Sequence, residues 1–316
     1  MHIGNIKITG KLLLAPMCDV TNLPFRLFCK EQGAALVYTE MINCDAYLME
    51  NSKTKKRSKF IEKEKPLGIQ IFGSSIENLK KAAVKIEKEL KPDLIDINIG
   101  CPAYNVMKTG SGASLLNNSE KIKELIFNVS ESLKIPLTCK IRILSDEKKT
   151  ISIAKIIQKS GAKALTIHGR TAKQGYSGNA NWEIVRQIKK VLNIPVILNG
   201  DIIDEYSASK AFETGCDALM IGRAAIGNPF IFKQINYFLD TGNNLEKMTF
   251  EQRLNDFSYY LKLCKKYGFV NIKAIKMQAQ FFTKGFRGAR IIRSEISKCK
   301  TMDEISKTLE KFSKNN

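Results

Sequence analysis

GAKALTIH, Gly161 to His168, compresses into eight residues a helix-ending glycine, a short apolar run with β-branched members and a polar side chain at the run's far end. The arrangement returns as GAALV from Gly33 to Val37 and as GCDALMI from Gly215 to Ile221. In each, a glycine in the left-handed conformation can close a helix because it carries no Cβ, and a strand can begin directly after it. Outward from these three, the chain holds eight such runs: Leu12 to Met17, Leu36 to Met41, Leu67 to Phe72, Leu94 to Ile99, Leu137 to Arg142, Ala164 to His168, Pro195 to Asn199 and Ala218 to Ile221. Loops and amphipathic stretches separate them at intervals of roughly 25 to 40 residues. The runs read as continuously apolar, the mark of strands covered on both faces in a parallel sheet. Between the third and fourth, Ser74-Ser75-Ile76-Glu77 offers a capping box, after which Ile76, Leu79, Ala83, Ile86 and Leu90 share one helical face. Strand then helix, eight times over, predicts an α/β fold, a (β/α)8 TIM barrel spanning residues 1–245; counting alone leaves an open doubly wound sheet as the alternative.

After about residue 245 the strand runs stop. Thr249 with Gln252 forms a second capping box, opening an amphipathic stretch to Tyr267 that ends at Gly268, and Thr301 with Glu304 opens a last one. These predict a small C-terminal all-helical domain, residues 246–316. Between Lys262 and Lys300 it carries eleven Lys or Arg and one acid, Glu295, with Arg287, Arg290 and Arg293 recurring at a spacing that a helix would cluster. So little opposite charge favours a phosphate-binding face over an ordinary solvated one.

The whole chain points the same way. Its 51 Lys and Arg against 31 Asp and Glu give a formal charge of +20, a field that attracts phosphate polyanions, although a lysine-rich surface style would produce the same number. No apolar run approaches the roughly 18 residues of a membrane span, and Met-His-Ile-Gly-Asn lacks the layout of a signal peptide, so no membrane association and a cytoplasmic location are expected. Eight scattered cysteines without CxxC spacing and only two histidines, His2 and His168, argue against a disulfide framework and against a metal site.

In an α/β barrel the chemistry sits at the C-terminal ends of the strands. Those ends read Pro16-Met17, Glu40, Gln70, Asn98 with Gly100-Cys101-Pro102, Lys140 with Arg142, His168 with Arg170, Asn199-Gly200-Asp201, and Gly222-Arg223. Any one could be an ordinary loop residue; together they are hard to attribute to chance. The last two groups follow strands seven and eight, where barrels commonly hold phosphate: glycine lets the backbone approach the anion and Arg223 adds a fork of donors. Lys140, at the end of a buried strand, needs an anionic partner. Cys101, between Gly100 and Pro102, is better placed for proton transfer or nucleophilic attack than a buried thiol such as Cys29 or Cys216. A Cys-His hydrolase would need His168 beside it, which spacing does not establish.

LAPMCDVTNLPFR (Leu14 to Arg26), NIGCP (Asn98 to Pro102), KIR (Lys140 to Arg142), HGRT (His168 to Thr171), NGD (Asn199 to Asp201) and GRAAIGNP (Gly222 to Pro229) resemble, in order and spacing, the tRNA-dihydrouridine synthases. The likeness covers essentially the whole barrel. It continues into FFTKGFRGARIIR (Phe281 to Arg293), which resembles that family's tRNA-binding segment and is nearest the bacterial B-type branch. Cys18 departs from the alanine usual in the first motif, and Gln278 from the histidine usual in the B-type branch. The resemblance implies that NADPH reduces FMN, that reduced flavin passes hydride to carbon 6 of a uridine in tRNA, and that Cys101 protonates carbon 5. It implies FMN binding by Pro16, Met17, Gln70, Lys140, His168, Asn199, Gly200, Asp201, Gly222 and Arg223. Reduced flavin, anionic along its pyrimidine edge, would give Lys140 its partner.

On the substrate side, Asn98 would orient uracil, and Arg142 and Arg170 would guide the nucleotide. Lys284, Arg287, Arg290 and Arg293, with Lys53, Lys55, Lys56 and Arg57 after strand two, would take the RNA backbone. Two rivals remain: a small-molecule pyrimidine oxidoreductase resembling dihydroorotate dehydrogenase, which leaves the basic domain unexplained, and a non-catalytic RNA-binding protein, which leaves Cys101 unexplained. A monomer is expected, because a large RNA must reach the catalytic face. The sequence does not say which uridine is reduced, nor whether NADPH is preferred to NADH.

Overall fold

The computed structural model describes residues 1–286 and 288–314, so Arg287 and the last two residues lie outside the described part. Eight parallel strands form the centre: β1 (Leu12–Leu14), β2 (Val37–Tyr38), β3 (Leu67–Phe72), β4 (Leu94–Ile99), β5 (Leu137–Arg142), β6 (Ala164–His168), β7 (Val196–Asn199) and β8 (Ala218–Ile221). Hydrogen bonding follows chain order from β2 to β8, and β8 pairs with β1, so the sheet curls on itself. The barrel nearly closes: between β1 and β2 there is one bridge, Leu13 to Leu36, flanked by Leu14 N donating to Leu36 O at 3.0 Å and Ala35 N donating to Leu12 O at 2.7 Å. Beneath, a short antiparallel hairpin of His2–Ile3 and Ile6–Lys7 packs Ile3 and Ile8 against Leu13, Leu36, Leu94, Ala164, Ile197 and Ala218, sealing the bottom.

The strands are covered on both faces, yet they alternate. Ile95, Ile97 and Ile99 of β4, Leu137, Cys139 and Ile141 of β5, and Leu165 and Ile167 of β6 belong to the layer between strands and helices. The intervening residues therefore face the barrel axis. They grade from apolar at the bottom to polar at the mouth: Leu94, Asp96 and Asn98 on β4, Thr138, Lys140 and Arg142 on β5, and Ala164, Thr166 and His168 on β6. The register sets Asn98 beside Lys140 and Arg142 beside His168, so the polar residues form one layer.

Helices α1 (Leu23–Glu31), α2 (Ile76–Leu90), α3 (Ser119–Ser130), α4 (Glu147–Lys159), α5 (Glu183–Val191), α6 (Glu205–Phe212) and α7 (Ile231–Thr241) jacket the strands. Ser75 caps α2, accepting from Asn78 N at 3.2 Å, one residue later than the capping box read from Ser74. β1 stops at Leu14 short of Met17, because Pro16 has no N–H for a ladder and the Met17 carbonyl turns to accept from Val20 N and Thr21 N. The segment holding Lys53 to Arg57 is a helix, Ser52–Ser58, capped by Asn51.

Four further helices follow: α8 (Phe250–Lys266), α9 (Ile272–Phe282), α10 (Ala289–Lys298) and α11 (Met302–Lys314). The capping box of Thr249 and Gln252 forms at both bonds, 3.2 and 2.8 Å. Phe257, Tyr260 and Phe282 stack as an aromatic core, and Tyr259 and Tyr260 dock edge-on to Phe28 and Phe25 of α1. Among the described residues no helix is long and apolar enough to cross a membrane.

The helix-ending glycines have φ of +102° at Gly33, +109° at Gly161 and +80° at Gly215. They differ in space: a Cβ on Gly161 would sit 2.9 Å from Ser130 Cβ and closer still to its hydroxyl, whereas on Gly215 the nearest atom is 4.0 Å away. Gly161→Ala should therefore cost about 2–3 kcal/mol in urea unfolding, and Gly215→Ala, which pays only for its backbone conformation, about 1 kcal/mol. Equal costs would refute the steric account.

Candidate active site

Inside the mouth, one wall is a run of hydrogen bonds that begins on a buried carboxylate. Thr138 Oγ1 donates to Asp96 Oδ1 at 2.6 Å and Gln70 Nε2 donates to Asp96 Oδ2 at 2.7 Å. Gln70 Oε1 is left to accept from Asn98 Nδ2 at 2.8 Å, which fixes the amide's orientation. Asn98 Oδ1 in turn accepts from Gly100 N at 3.1 Å and Cys101 N at 2.8 Å, folding the loop after β4 back over the strand end. Cys101 is held half-buried at the mouth by this bond and by its own carbonyl accepting from Ala113 N. Burial raises the Asp96 carboxyl to about 6, against the pull of Thr138, Gln70 and Lys140.

A second set begins beside Asn98 at Lys140, whose Nζ donates to Asn199 Oδ1 at 2.8 Å; Asn199 Nδ2 donates to the Met220 carbonyl at 2.8 Å, fixing that amide as well. Lys140 keeps an opening to the cleft, but surrounding protein and then Arg142 push its ammonium down to about 8, against the pull of Asp96. Asp96 thus supplies part of the negative charge Lys140 needs, and the direct partner is a neutral amide. His168 stands in the same layer, 7% exposed; burial first, then Lys140, Arg142, Arg170 and Arg223, push its imidazole down to about 2, so it is neutral at physiological pH.

The rim is organised by Asp201, at φ +58° after Gly200. Its carboxylate accepts from Arg170 at 2.7 and 2.8 Å and from Ala180 N at 2.7 Å, and lies 3.5 Å from Arg223. Arg170, 2% exposed, also donates to Ser177 and Gly178 carbonyls, while Arg142 donates to Thr171 and Gly175 carbonyls at 2.8 Å each. Together the two arginines fold the loop from Thr171 to Gly178 over the mouth. Tyr176 at its tip is exposed, 4.6 Å from the Arg223 guanidinium, 5.7 Å from that of Arg142 and 6.4 Å from the His168 ring. A Cβ on Gly222 would touch Ala15 Cβ at 3.6 Å and Met17 Sδ at 3.7 Å without a clash, and the half-exposed Arg223 follows at the start of a short 3-10 turn, Arg223–Ala225. Pro16 and Met17 are half-buried beside it, and Cys18 is exposed at the rim.

The strand-end residues thus converge. Of the described basic residues assigned to the RNA backbone, Arg57 reaches a strand end, pairing with Glu40, and the others lie on helices or, for Lys284, in the turn after α9. Lys284 and Arg290 are exposed on the helical domain, Arg293 is half-buried with Nε donating back to Ala289 O, and Arg287 lies outside the described residues. Near β2, Lys55 pairs with Glu50 and Glu89, and Arg57 with Asp19 and Glu40, while Lys56 donates to Gly268 O at 3.1 Å. Asp96 and Tyr176 escaped the sequence reading. The signal for Asp96 was present, a lone carboxylate two residues before Asn98 on an inward-facing row; nothing in the sequence marked Tyr176.

The family described as dihydrouridine synthase (Dus) matches residues 13–316. The chain belongs to that family. Across 95% of both chains it is 36% identical to a protein of Aquifex aeolicus named "Probable tRNA-dihydrouridine synthase". It is 38% identical to the tRNA-dihydrouridine synthase B of Klebsiella pneumoniae over 78% of this chain and 77% of that one. Among solved structures, a 2-naphthoyl-CoA reductase complex superposes with a TM-score of 0.58 at 13% identity, covering 75% of this chain and 51% of that one. The BexX/CysO complex of Amycolatopsis orientalis superposes at 0.51 and 16% identity, covering 78% and 98%. At such identities these two likenesses concern the fold alone. As a dihydrouridine synthase the protein is an enzyme of the flavin-dependent oxidoreductase class.

A neutral His168 has a measurable signature. Its imidazole resonances should stay those of the neutral form down to pH 4.5. The folded pKa lies below the unfolded one, so unfolding takes up a proton below pH 6.5: this stabilising contribution is full above 6.5 and declines as pH falls, by about 1.4 kcal/mol per unit. In His168→Asn that part of the slope should vanish from urea unfolding of the flavin-free protein; an unchanged slope between pH 5.5 and 6.5 would contradict it.

Proposed function

We propose that this dihydrouridine synthase reduces uridine to 5,6-dihydrouridine in tRNA, using FMN as the bound cofactor and NADPH as the reductant. What carries the reading is the juxtaposition, at one barrel mouth, of a half-buried lysine whose direct partner is an amide, a thiol loop pinned by Asn98, and the pair Gly222 and Arg223 at the end of β8. These residues fit an anionic, phosphate-tailed ring system. Lys140 needs negative charge, Gly222 at the end of β8 has no side chain to hold an anion off its backbone, and Arg223 with Tyr176 stands beside it; Gly200 serves by letting the chain pass close to His168 and Ala180. Pro16 and Met17 would line the side of the ring, Gln70 and Asn199 would present amides to it, and neutral His168 would contact it without adding charge. When bound, reduced FMN would supply hydride to carbon 6 of the uracil ring.

Every other task falls to the chain. Cys101 Sγ would deliver the proton to carbon 5, and the Asn98 carbonyl fixes the loop from which it does so. Asn98 Nδ2 donates to Gln70 Oε1 and, at 3.8 Å, to the weak acceptor Met41 Sδ, a bond that a uracil carbonyl would replace when Asn98 orients the base. Asp201, bonded to Arg170, acts as the organiser of the rim, and Arg170 serves the substrate by holding the loop that carries Tyr176. Arg142 would guide the nucleotide from the same loop. Residues 1–245 would form the FMN-binding catalytic domain and 246–316 the tRNA-binding one, with Lys284, Arg287, Arg290 and Arg293 on phosphates. Those contacts must offset the few kcal/mol needed to extrude a base from its stack. The same reading takes the protein as a cytoplasmic monomer without a metal.

Single-turnover measurements test it. NADPH should reduce the flavin of Cys101→Ala at the wild-type rate, while unmodified tRNA should reoxidise it roughly 100- to 10,000-fold more slowly, with dihydrouridine scored by mass. Absence of dihydrouridine from wild type, despite normal flavin reduction, would move the assignment to a small-molecule pyrimidine.

A further inference from the structure

The loop from Gly222 to Asn228 has two ends with different business. At the first, Gly222 and the half-exposed Arg223 stand at the end of β8, by the barrel mouth. At the second, Gly227 has φ +67°, and a Cβ there would lie 2.7 Å from Phe281 Cβ and closer still to the peptide joining Phe281 to Phe282. Those obstacles are largely main chain, at the end of α9, and cannot rotate away. Barrel and helical domain therefore touch backbone to backbone at this point. Arg253 of α8 clasps the same spot by donating to the Gly227 carbonyl, and Phe282 beside it belongs to the aromatic core that docks on α1.

We propose that Gly227 is a positioning residue: together with Arg253 it sets the seat of the helical domain on the barrel, and so the alignment of a bound RNA with the catalytic mouth. The inference rests on the tRNA-reducing reading above. A side chain at Gly227 displaces α9 while leaving Gly222, Arg223 and the basic surface of α10 as they are. RNA would still bind, but the target base would be presented off line. Binding and turnover should come apart, because phosphate contacts tolerate a shift that the reacting atoms do not.

The test compares wild type, Gly227→Ala and Arg253→Met, all flavin-loaded, with unmodified tRNA. For Gly227→Ala, reoxidation of reduced flavin at saturating tRNA should fall roughly 10- to 100-fold. The Kd for tRNA should move less than about three-fold, since the phosphate contacts remain. Flavin content and reduction by NADPH should match wild type, small-angle scattering of the tRNA complex should change, and Arg253→Met should shift each quantity in the same direction. Wild-type turnover in both variants would overturn the inference. So would a loss of tRNA affinity that accounts for the whole loss of turnover, because a seat that only stabilised the domain would act on both. If Gly227→Ala does not fold, Arg253→Met decides alone. The wild-type reaction is the control for the underlying reading: no dihydrouridine there defeats the function, whereas normal wild type with normal variants defeats only the seat.

Discussion

An ammonium in the mouth of a nearly closed barrel constrains everything around it. Lys140 must be surrounded by groups that lower the cost of its charge without neutralising it, and the neighbouring strands are built accordingly. Asp96 on β4 gives long-range compensation from within the barrel, while Asn199 on β7 gives the direct bond. Each then fixes more of the site. Asp96 orients Gln70, Gln70 orients Asn98, and Asn98 holds the Cys101 loop; Asn199 is itself set by a β8 carbonyl. The thiol and the ammonium are thereby placed by two sets of hydrogen bonds, coupled through the charge of Asp96, rather than by loops that could vary independently.

The surplus of positive charge acts within the same site. Burial first, and four cationic side chains after it, depress the His168 imidazole, so a residue usually read as a proton carrier is here a neutral ring. Where acids meet these cations, they serve as struts: Asp201 draws Arg170 away from the cleft and folds the Tyr176 loop over it. Arg142 does similar work through carbonyls. A basic residue at a strand end is thus as often a fastening for a loop as a contact for a ligand.

Much of this was legible in the sequence, for a physical reason. β3, β4, β5, β6 and β8 begin and end where the apolar runs do, because buried parallel strands tolerate little else. The strand ends that converge were recognisable because polar residues inside apolar runs are expensive and rarely idle. The runs were nonetheless misread as uniform. Those of β4, β5, β6 and β7 alternate between an outward apolar row and an inward row that turns polar toward the mouth, and that period-two grading would have picked out Asp96 along with Asn98. Tyr176 was invisible because its neighbours are brought to it by arginines far away in sequence. The reach of Gly227 was hidden for a related reason: the contact that demands a glycine lies more than fifty residues downstream, on another domain.

The single bridge between β1 and β2 gives the barrel an uneven cohesion. Seven of its joints are ladders, whereas the eighth is little more than two edges held side by side. There the load passes to side chains outside the cylinder: the buried ion pair of Arg26 and Glu64 at 2.7 Å, and α1 pressed beneath the aromatic rings of α8. Viewed mechanically, the C-terminal helices are a hoop around the one stave gap in a cask, so that the module proposed to hold the tRNA also keeps the barrel from springing open.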